Sequence, residues 1–168
     1  MKILFFVYYL EITLFDARLL RWSHQYAPSM YTHQESGGDN AYPGEFDLDY
    51  DGENEPFDKA WLVDYLSLSS DFSDEHGVPV AVNEYGVARW SEGASKFMHA
   101  EMGIFEELGI NYALWVWDPD WRAWNEGVNF MTFRYGADAE NSVDVENDLQ
   151  NTITDFWAKN EIRPSSFE

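Results

Sequence analysis

The stretch Val78–Gly86, with the sequence VPVAVNEYG, decides the fold of this chain. Its three valines are β-branched and favour a strand over a helix. Alternate residues from Val78 to Glu84 are expected to share one face of that strand. The pattern therefore predicts a buried strand that ends on a carboxylate. In a barrel of parallel strands, the carboxyl ends of the strands are where active sites are built, so Glu84 is a candidate catalytic residue.

The segments around this strand alternate between strand and helix patterns. Strands are predicted at 19–26 and in INYALWVW (residues 110–117), and helices at 56–76, 93–108 and 145–160. Such alternation indicates βα units and a parallel sheet. A closed eight-stranded barrel takes about 250 residues, which is more than this chain has. The three βα units therefore predict an α/β fold that forms only the C-terminal part of a TIM (β/α)8 barrel. We expect residues 22–168 to form this partial barrel domain.

The N-terminal segment 1–21 has no firm interpretation. It has one lysine and an apolar run, as a short signal peptide does, but Glu11 interrupts it and no small-residue cleavage site follows. A barrel strand or an artefactual start is the preferred alternative.

Composition excludes several classes of partner. Ten Lys and Arg against 31 Asp and Glu give a net charge of -21, which repels nucleic acid and anionic membrane surfaces. No run reaches transmembrane length. The chain has no Cys, so disulfides and thiolate metal sites are excluded. Aromatic residues make up 18% of the chain, and aromatic faces also grip sugar rings, although most aromatics belong to cores.

Three motifs occur in order along the chain: HQYAPSMYTHQ (24–34), followed by YPG (42–44), then HGVPVAVNEYGV (76–87), then LGINYALWVWDPD (108–120). Together they resemble the sixth, seventh and eighth strand motifs of glycoside hydrolase family 5, the cellulase-like family. The resemblance covers about residues 22–165. It implies hydrolysis of O-glycosidic bonds in β-linked polysaccharide or oligosaccharide, with no required cofactor and with secretion to the cell exterior favoured.

The resemblance also implies roles for individual residues. Glu84 matches the family's nucleophile, and His24 and Tyr26 match residues that bind the sugar and orient that nucleophile. Trp115 or Trp117 matches the tryptophan that forms a sugar platform. Retaining hydrolysis needs a second carboxyl group about 5 Å from the first, which protonates the leaving oxygen and later activates water.

The chain departs from the family pattern at this second carboxyl group. The family's acid lies in an Asn-Glu-Pro motif upstream of the sixth strand, and this chain has that triplet only at 54–56. Acidic residues and Pro favour helix starts, so Glu55 is interpreted as a helix-start residue. We expect the acid to lie on a missing N-terminal half of the barrel, and the chain alone to be inactive.

An acidic loop gives a second candidate site. Asp47, Asp49 and Asp51 precede Gly52, and Asp58 lies eleven residues after the first, which is close to the ligand spacing of a calcium loop. No helix is predicted before the loop. Two alternatives therefore stay open. Asp47, Asp49 and Asp51 bind a structural calcium ion, or the spacing arises by chance in a chain with many acidic residues.

Two alternatives to an enzyme stay open. A non-catalytic carbohydrate-binding or scaffold protein keeps the aromatic cleft and lacks the acid. A fragment without independent function exposes two strand edges and tends to aggregate. The identity of the sugar, and endo or exo cleavage, are not determined by the sequence.

Overall fold

A computed structural model describes residues 21–116 and 132–159 of the chain. The strands are β1 (Arg21–Gln25), β2 (Gly44–Phe46), β3 (Glu55–Phe57), β4 (Val80–Tyr85) and β5 (Asn111–Leu114). The helices are α1 (Ser29–Thr32), α2 (Lys59–His76), α3 (Ala94–Glu107) and α4 (Asp148–Trp157), with a turn of 3-10 helix at Phe133–Tyr135. Trp117 and nearly all of the N-terminal segment lie outside the described residues.

The main sheet has three parallel strands in the order β1-β4-β5. α2 precedes β4 and α3 connects β4 to β5, so the predicted βα alternation and parallel sheet are confirmed. β2 and β3 form a separate antiparallel pair inside what the sequence presented as one long polar loop. Closure of the sheet into a barrel stays a prediction, because the described parallel sheet has three strands.

The centre of β4 departs from simple alternation. Val82 and Tyr85 both belong to the buried core shared with the helices, whereas Glu84 contacts residues of β1 and its following loop. In a regular strand, side chains three residues apart point to opposite faces, so Val82 and Tyr85 would not both enter the core. The pairing of β4 with β5 shifts register between these two residues. The expected common face from Val78 to Glu84 is therefore wrong. An irregularity of the bulge type re-aims the carboxylate.

The start of α2 also differs from the prediction. Pro56 and Glu55 lie in β3, and Asp58 caps the helix by accepting hydrogen bonds from the backbone N–H groups of Ala60 and Trp61 at 2.8 and 3.1 Å. Glu55 is thus not a helix-start residue. A capping Asp satisfies N–H groups that no helical carbonyl reaches, which is why the helix begins after it.

Most of the aromatic residues in the described ranges serve the core. Tyr31, Tyr42, Phe57 and Phe97 pack edge to face or tilted, with ring centroids 5.0 to 6.4 Å apart. Such arrangements add to the gain from burying the rings. The cluster joins α1, the segment before β2, β3 and α3, so it holds the long loop against the helical layer.

Gly93 allows the closest contact between this loop and α3. A Cβ atom at Gly93 would lie 1.8 Å from the carbonyl oxygen of Tyr42, and its φ is +78°. Only glycine combines that backbone conformation with so close an approach. The backbone N–H of Tyr42 donates to the carbonyl of Glu92 at 2.9 Å, which fixes the approach.

Arg89 anchors the segment that precedes α4. Its guanidinium is buried, with 2% of the residue exposed, and donates to five backbone carbonyls. The acceptors are Tyr135 (3.4 Å), Gly136 (2.7 Å), Asp138, Ala139 (2.9 Å) and Asn141 (2.8 Å). The Arg89 guanidinium thus holds the backbone of the segment from Tyr135 to Asn141 next to the loop that follows Glu84.

Replacing Arg89 with Met should lower the free energy of unfolding by about 3 kcal/mol, because several buried carbonyls lose a charged donor. Urea denaturation followed by circular dichroism measures the change. The matched control is Lys59→Met, which removes an exposed cation that lies 3.4 Å from Glu107 and should cost less than about 1 kcal/mol. Equal midpoints for Arg89→Met and the parent chain would show that the carbonyl contacts contribute nothing.

Candidate active site

The pairing of β1 with β4 places His24 directly opposite Glu84. The Glu84 carboxylate oxygen Oε2 lies 3.3 Å from His24 Nδ1 and accepts a hydrogen bond from the Tyr26 hydroxyl at 3.2 Å. The Glu84 side chain is 25% exposed, so it is partly shielded and still reachable from solvent. The structure therefore brings together three residues that the sequence singled out, at the carboxyl ends of two parallel strands.

The chain on either side of Tyr26 is held by side-chain hydrogen bonds. Thr32 Oγ1 donates to the Tyr26 carbonyl at 2.6 Å, and Gln25, which is buried, donates from Nε2 to the Ala27 carbonyl at 3.2 Å. His24 and Tyr26 contact the carboxylate while Gln25 between them is buried, as strand alternation predicts. Burial and, to a smaller extent, the Glu84 carboxylate raise the pKa of Tyr26 well above its usual value, so its hydroxyl keeps the proton that it donates.

His33 lies beside this group. Its ring meets Tyr26 edge to face, with centroids 4.8 Å apart, and its Nδ1 lies 2.9 Å from Thr32 Oγ1. Burial lowers the pKa of His33, which favours a neutral imidazole here. Gln34 orders the following loop: its Nε2 donates to the Asn40 carbonyl at 2.9 Å, and its Oε1 accepts from the Asn40 N–H at 3.2 Å.

The aromatic platform is only partly described. Trp115 directly follows β5 and its backbone N–H donates to the Tyr85 carbonyl at 3.0 Å, so it lies at the same end of the sheet as Glu84. The Trp115–Val116 peptide bond is cis. Trp117 lies outside the described residues, so the alternative between the two tryptophans stays open.

The geometry supports one half of a two-carboxyl mechanism. The His24 imidazole and the Tyr26 hydroxyl both lie against Oε2 of Glu84, and the hydroxyl donates a hydrogen bond to it. Within residues 21–116 and 132–159, the groups in contact with this carboxylate are an imidazole and a phenol, and neither is a carboxylic acid. Retaining hydrolysis needs such an acid about 5 Å away.

The acidic loop gathers a different set of carboxylates from the predicted one. Oxygens of Asp47, Asp49 and Glu55 lie within 4.8 Å of one another, whereas Asp51 is not part of this group. Asp58, the fourth predicted position, caps α2 instead. The cluster contains Glu55, so the Asn-Glu-Pro triplet contributes to this loop and to β3.

The same carboxylates also accept backbone hydrogen bonds. Asp47 accepts from the N–H groups of Asp51 and Gly52 at 3.1 and 2.9 Å, and Glu55 accepts from Leu48 at 2.8 Å. These bonds hold the turn without a cation. Oxygen-only ligands suit calcium, and calcium binding at this loop stays a prediction.

A calcium site here should give heat in a calcium titration and a melting temperature higher in calcium than in chelator. Asp47→Asn should abolish both effects, because it removes a charged ligand from the centre of the loop. Asp71→Asn, which removes an exposed charge on α2, is the control and should leave both unchanged. No heat together with equal melting temperatures in calcium and chelator would show that these carboxylates serve the backbone alone.

Sequence reasoning missed two buried charged residues, Arg89 and Glu101. Glu101 is fully buried on the inner side of α3. The signal was present, because Phe97, Glu101 and Phe105 are spaced four residues apart and share one helix face.

Comparison with solved structures finds similar folds at low sequence identity. An endoglucanase structure matches with a TM-score of 0.50 and 19% identity, over 64% of this chain and 35% of its own. A glycoside hydrolase (TM-score 0.48, 22% identity, 58% and 30% coverage) and a hyperthermophilic endo-beta-1,4-glucanase in complex with substrate (0.47, 18%, 68% and 39%) are also similar. No family model and no curated protein sequence matches.

Two facts follow from these matches. The described part of the chain has the mixed α/β fold found in part of an endoglucanase. The chain spans about a third of the length of the structures that it resembles.

In the ranges that the structure describes, no helix is both long enough and apolar enough to cross a membrane.

Proposed function

We propose that this chain is the C-terminal part of a family 5 retaining glycoside hydrolase barrel, with Glu84 as the nucleophile. The observation that carries the proposal is the contact of Glu84 Oε2 with His24 Nδ1 at 3.3 Å and with the Tyr26 hydroxyl at 3.2 Å, at the carboxyl end of a parallel sheet. The ordered motifs and the endoglucanase-like fold support it.

The proposed chemistry assigns one task to each residue. Glu84 Oε1 attacks the anomeric carbon of a β-linked sugar, and the bond from that carbon to the leaving oxygen breaks. A second carboxyl group protonates the leaving oxygen and later deprotonates water, which releases the sugar and restores Glu84. His24 and Tyr26 hold Oε2, so the attacking oxygen keeps a fixed direction. Trp115 or Trp117 supports the sugar ring.

The second carboxyl group belongs to the missing part of the barrel in this proposal. The chain spans 30% to 39% of the lengths of the similar structures, which is consistent with a fragment. The whole protein is proposed to act outside the cell on cellulose-like polysaccharide or oligosaccharide. The main rival is a carbohydrate-binding or scaffold protein that has the site residues but performs no chemistry.

Substrates with different leaving groups distinguish a hydrolase fragment from a binding protein. A 2-deoxy-2-fluoro-β-cellobioside with a dinitrophenolate leaving group needs little acid assistance, so we expect one covalent adduct per chain by intact mass spectrometry, located on Glu84 by peptide mapping. Cellulose needs the acid, and we expect no soluble sugar to be released from it by this chain alone. Glu84→Gln should give no adduct. Glu92→Gln changes an exposed glutamate eight residues away and should leave the adduct unchanged.

A folded chain that binds cellobiose and forms no adduct would favour the binding-protein rival. Release of sugar from cellulose by the 168-residue chain would contradict the assignment of the acid to a missing half.

Tyr26→Phe tests the positioning of the nucleophile. Loss of the hydroxyl removes one of the two contacts on Oε2, and a hydrogen bond to a charged group contributes about 1.5 to 3 kcal/mol. We expect adduct formation to slow by about tenfold to a hundredfold, with little change in sugar affinity. Tyr50→Phe changes a tyrosine that is 76% exposed and serves as the control. An unchanged rate in Tyr26→Phe would show that His24 alone orients the carboxylate.

A further inference from the structure

Glu101 is the one glutamate in the described ranges that is fully buried. It has 0% exposure and lies on the face of α3 that also buries Phe97, Met98, Met102 and Phe105. Glutamate is almost never fully buried unless it is paired. An ionised carboxylate in such surroundings loses its hydration, so its presence needs an explanation.

The Glu101 carboxyl group lacks the partners that a buried carboxylate requires. Neither oxygen has a hydrogen-bond partner, and the ion pairs seen among the described residues involve other acids. The nearby Gln25 amide donates instead to the Ala27 carbonyl at 3.2 Å. No cation therefore balances Glu101 within residues 21–116 and 132–159.

The titratable groups that face Glu101 are tyrosines. The charge of Glu101 contributes to raising the pKa of five of them: Tyr26 after β1, Tyr31 of α1, Tyr42 in the following loop, Tyr65 of α2 and Tyr85 of β4. From β5, Tyr112 packs against Tyr85 and Phe105. From α4, the uncharged Thr152 and Phe156 meet α3 at Ser95 and His99.

Glu101 lies close to the strand that carries the candidate site. Gln25, which stands between His24 and Tyr26 in the chain, is near enough to Glu101 to lower its pKa. Tyr26 senses the charges of both Glu84 and Glu101. A negative charge on Glu101 would therefore act on the same strand end that presents His24 and Tyr26 to Glu84.

We propose that Glu101 is a buried pH-sensitive device: the folded chain holds it as the neutral carboxylic acid, and loss of that proton weakens the packing of α3 in the core. A neutral acid also supplies an O–H donor, which a carboxylate lacks. The buried Tyr85 hydroxyl likewise has no hydrogen-bond partner, and the charge of Glu101 contributes to raising the pKa of Tyr85. This device does not depend on the proposed hydrolase activity.

The direction of the pH dependence follows from burial. Burial raises the pKa of Glu101 to about 8, with a smaller opposing effect of the Gln25 amide. In the unfolded chain the group titrates near pH 4.3. Between these values the folded state holds a proton that the unfolded state has lost, so stability falls as pH rises. The loss is complete above the folded-state pKa.

The test compares the pH dependence of unfolding for the parent chain, Glu101→Gln and Glu107→Gln. Glutamine resembles the neutral acid and cannot ionise, whereas Glu107 is an exposed glutamate on the same helix. We expect the ratio of unfolding constants, parent over Glu101→Gln, to rise up to about tenfold per pH unit between about pH 5 and pH 8, and then to level off. The ratio for Glu107→Gln should stay flat, which accounts for general repulsion among the acids.

A spectroscopic measurement covers the case in which Glu101→Gln does not fold. Near pH 6.5 ordinary carboxyl groups are ionised, so the infrared band of a protonated carboxylic acid should be present in the parent chain and disappear near the pKa of Glu101. Glu101→Met should lack the band. A flat ratio for Glu101→Gln, or no protonated band in the parent chain at neutral pH, would overturn the proposal. Neither measurement uses a sugar, so neither depends on whether Glu84 is a nucleophile.

Discussion

The candidate site depends on the register in which two parallel strands pair. Opposite alignment of His24 with Glu84 sets the distance between imidazole and carboxylate, and the position of Tyr26 follows two residues later. A slip of one residue would turn these side chains to the other face of the sheet. The irregularity between Val82 and Tyr85 is part of the same constraint, because it lets Val82 and Tyr85 enter the core while Glu84 turns to β1.

The loops around this pairing are fixed by buried contacts. Tyr31, Tyr42, Phe57 and Phe97 hold the long loop against the helices, and the close approach at Gly93 joins it to the start of α3. Arg89 orders the segment before α4 through backbone carbonyls. A rigid frame of this kind can keep a partly exposed carboxylate and its two neighbours, His24 and Tyr26, in place.

Local patterns predicted what local physics determines. The valines of β4 and the apolar spacing of α3 each depend on near neighbours, and the parallel βα arrangement followed from the order of the elements. Contacts between distant residues were not visible. Glu55 joins Asp47 and Asp49 because β2 pairs with β3, and Pro56 belongs to that pair rather than to a helix. Glu84 could be predicted as a site residue because it ends a strand and matches a family motif. The bulge that orients its side chain could not be predicted from the alternation of residues in the strand.

In the proposed barrel, the two edges of the described sheet determine where further strands must be added. Within the described residues β1 and β5 each have one paired side, and the alternate residues Asn111 and Ala113 of β5 are exposed. Unpaired backbone groups of an edge strand favour addition of further strands. In a closed barrel those strands would bring their own carboxyl ends to the edge where Glu84 lies, and this is where the proposed acid must stand to reach the leaving oxygen. Completion of the sheet and completion of the catalytic pair are therefore the same structural event in the proposed enzyme.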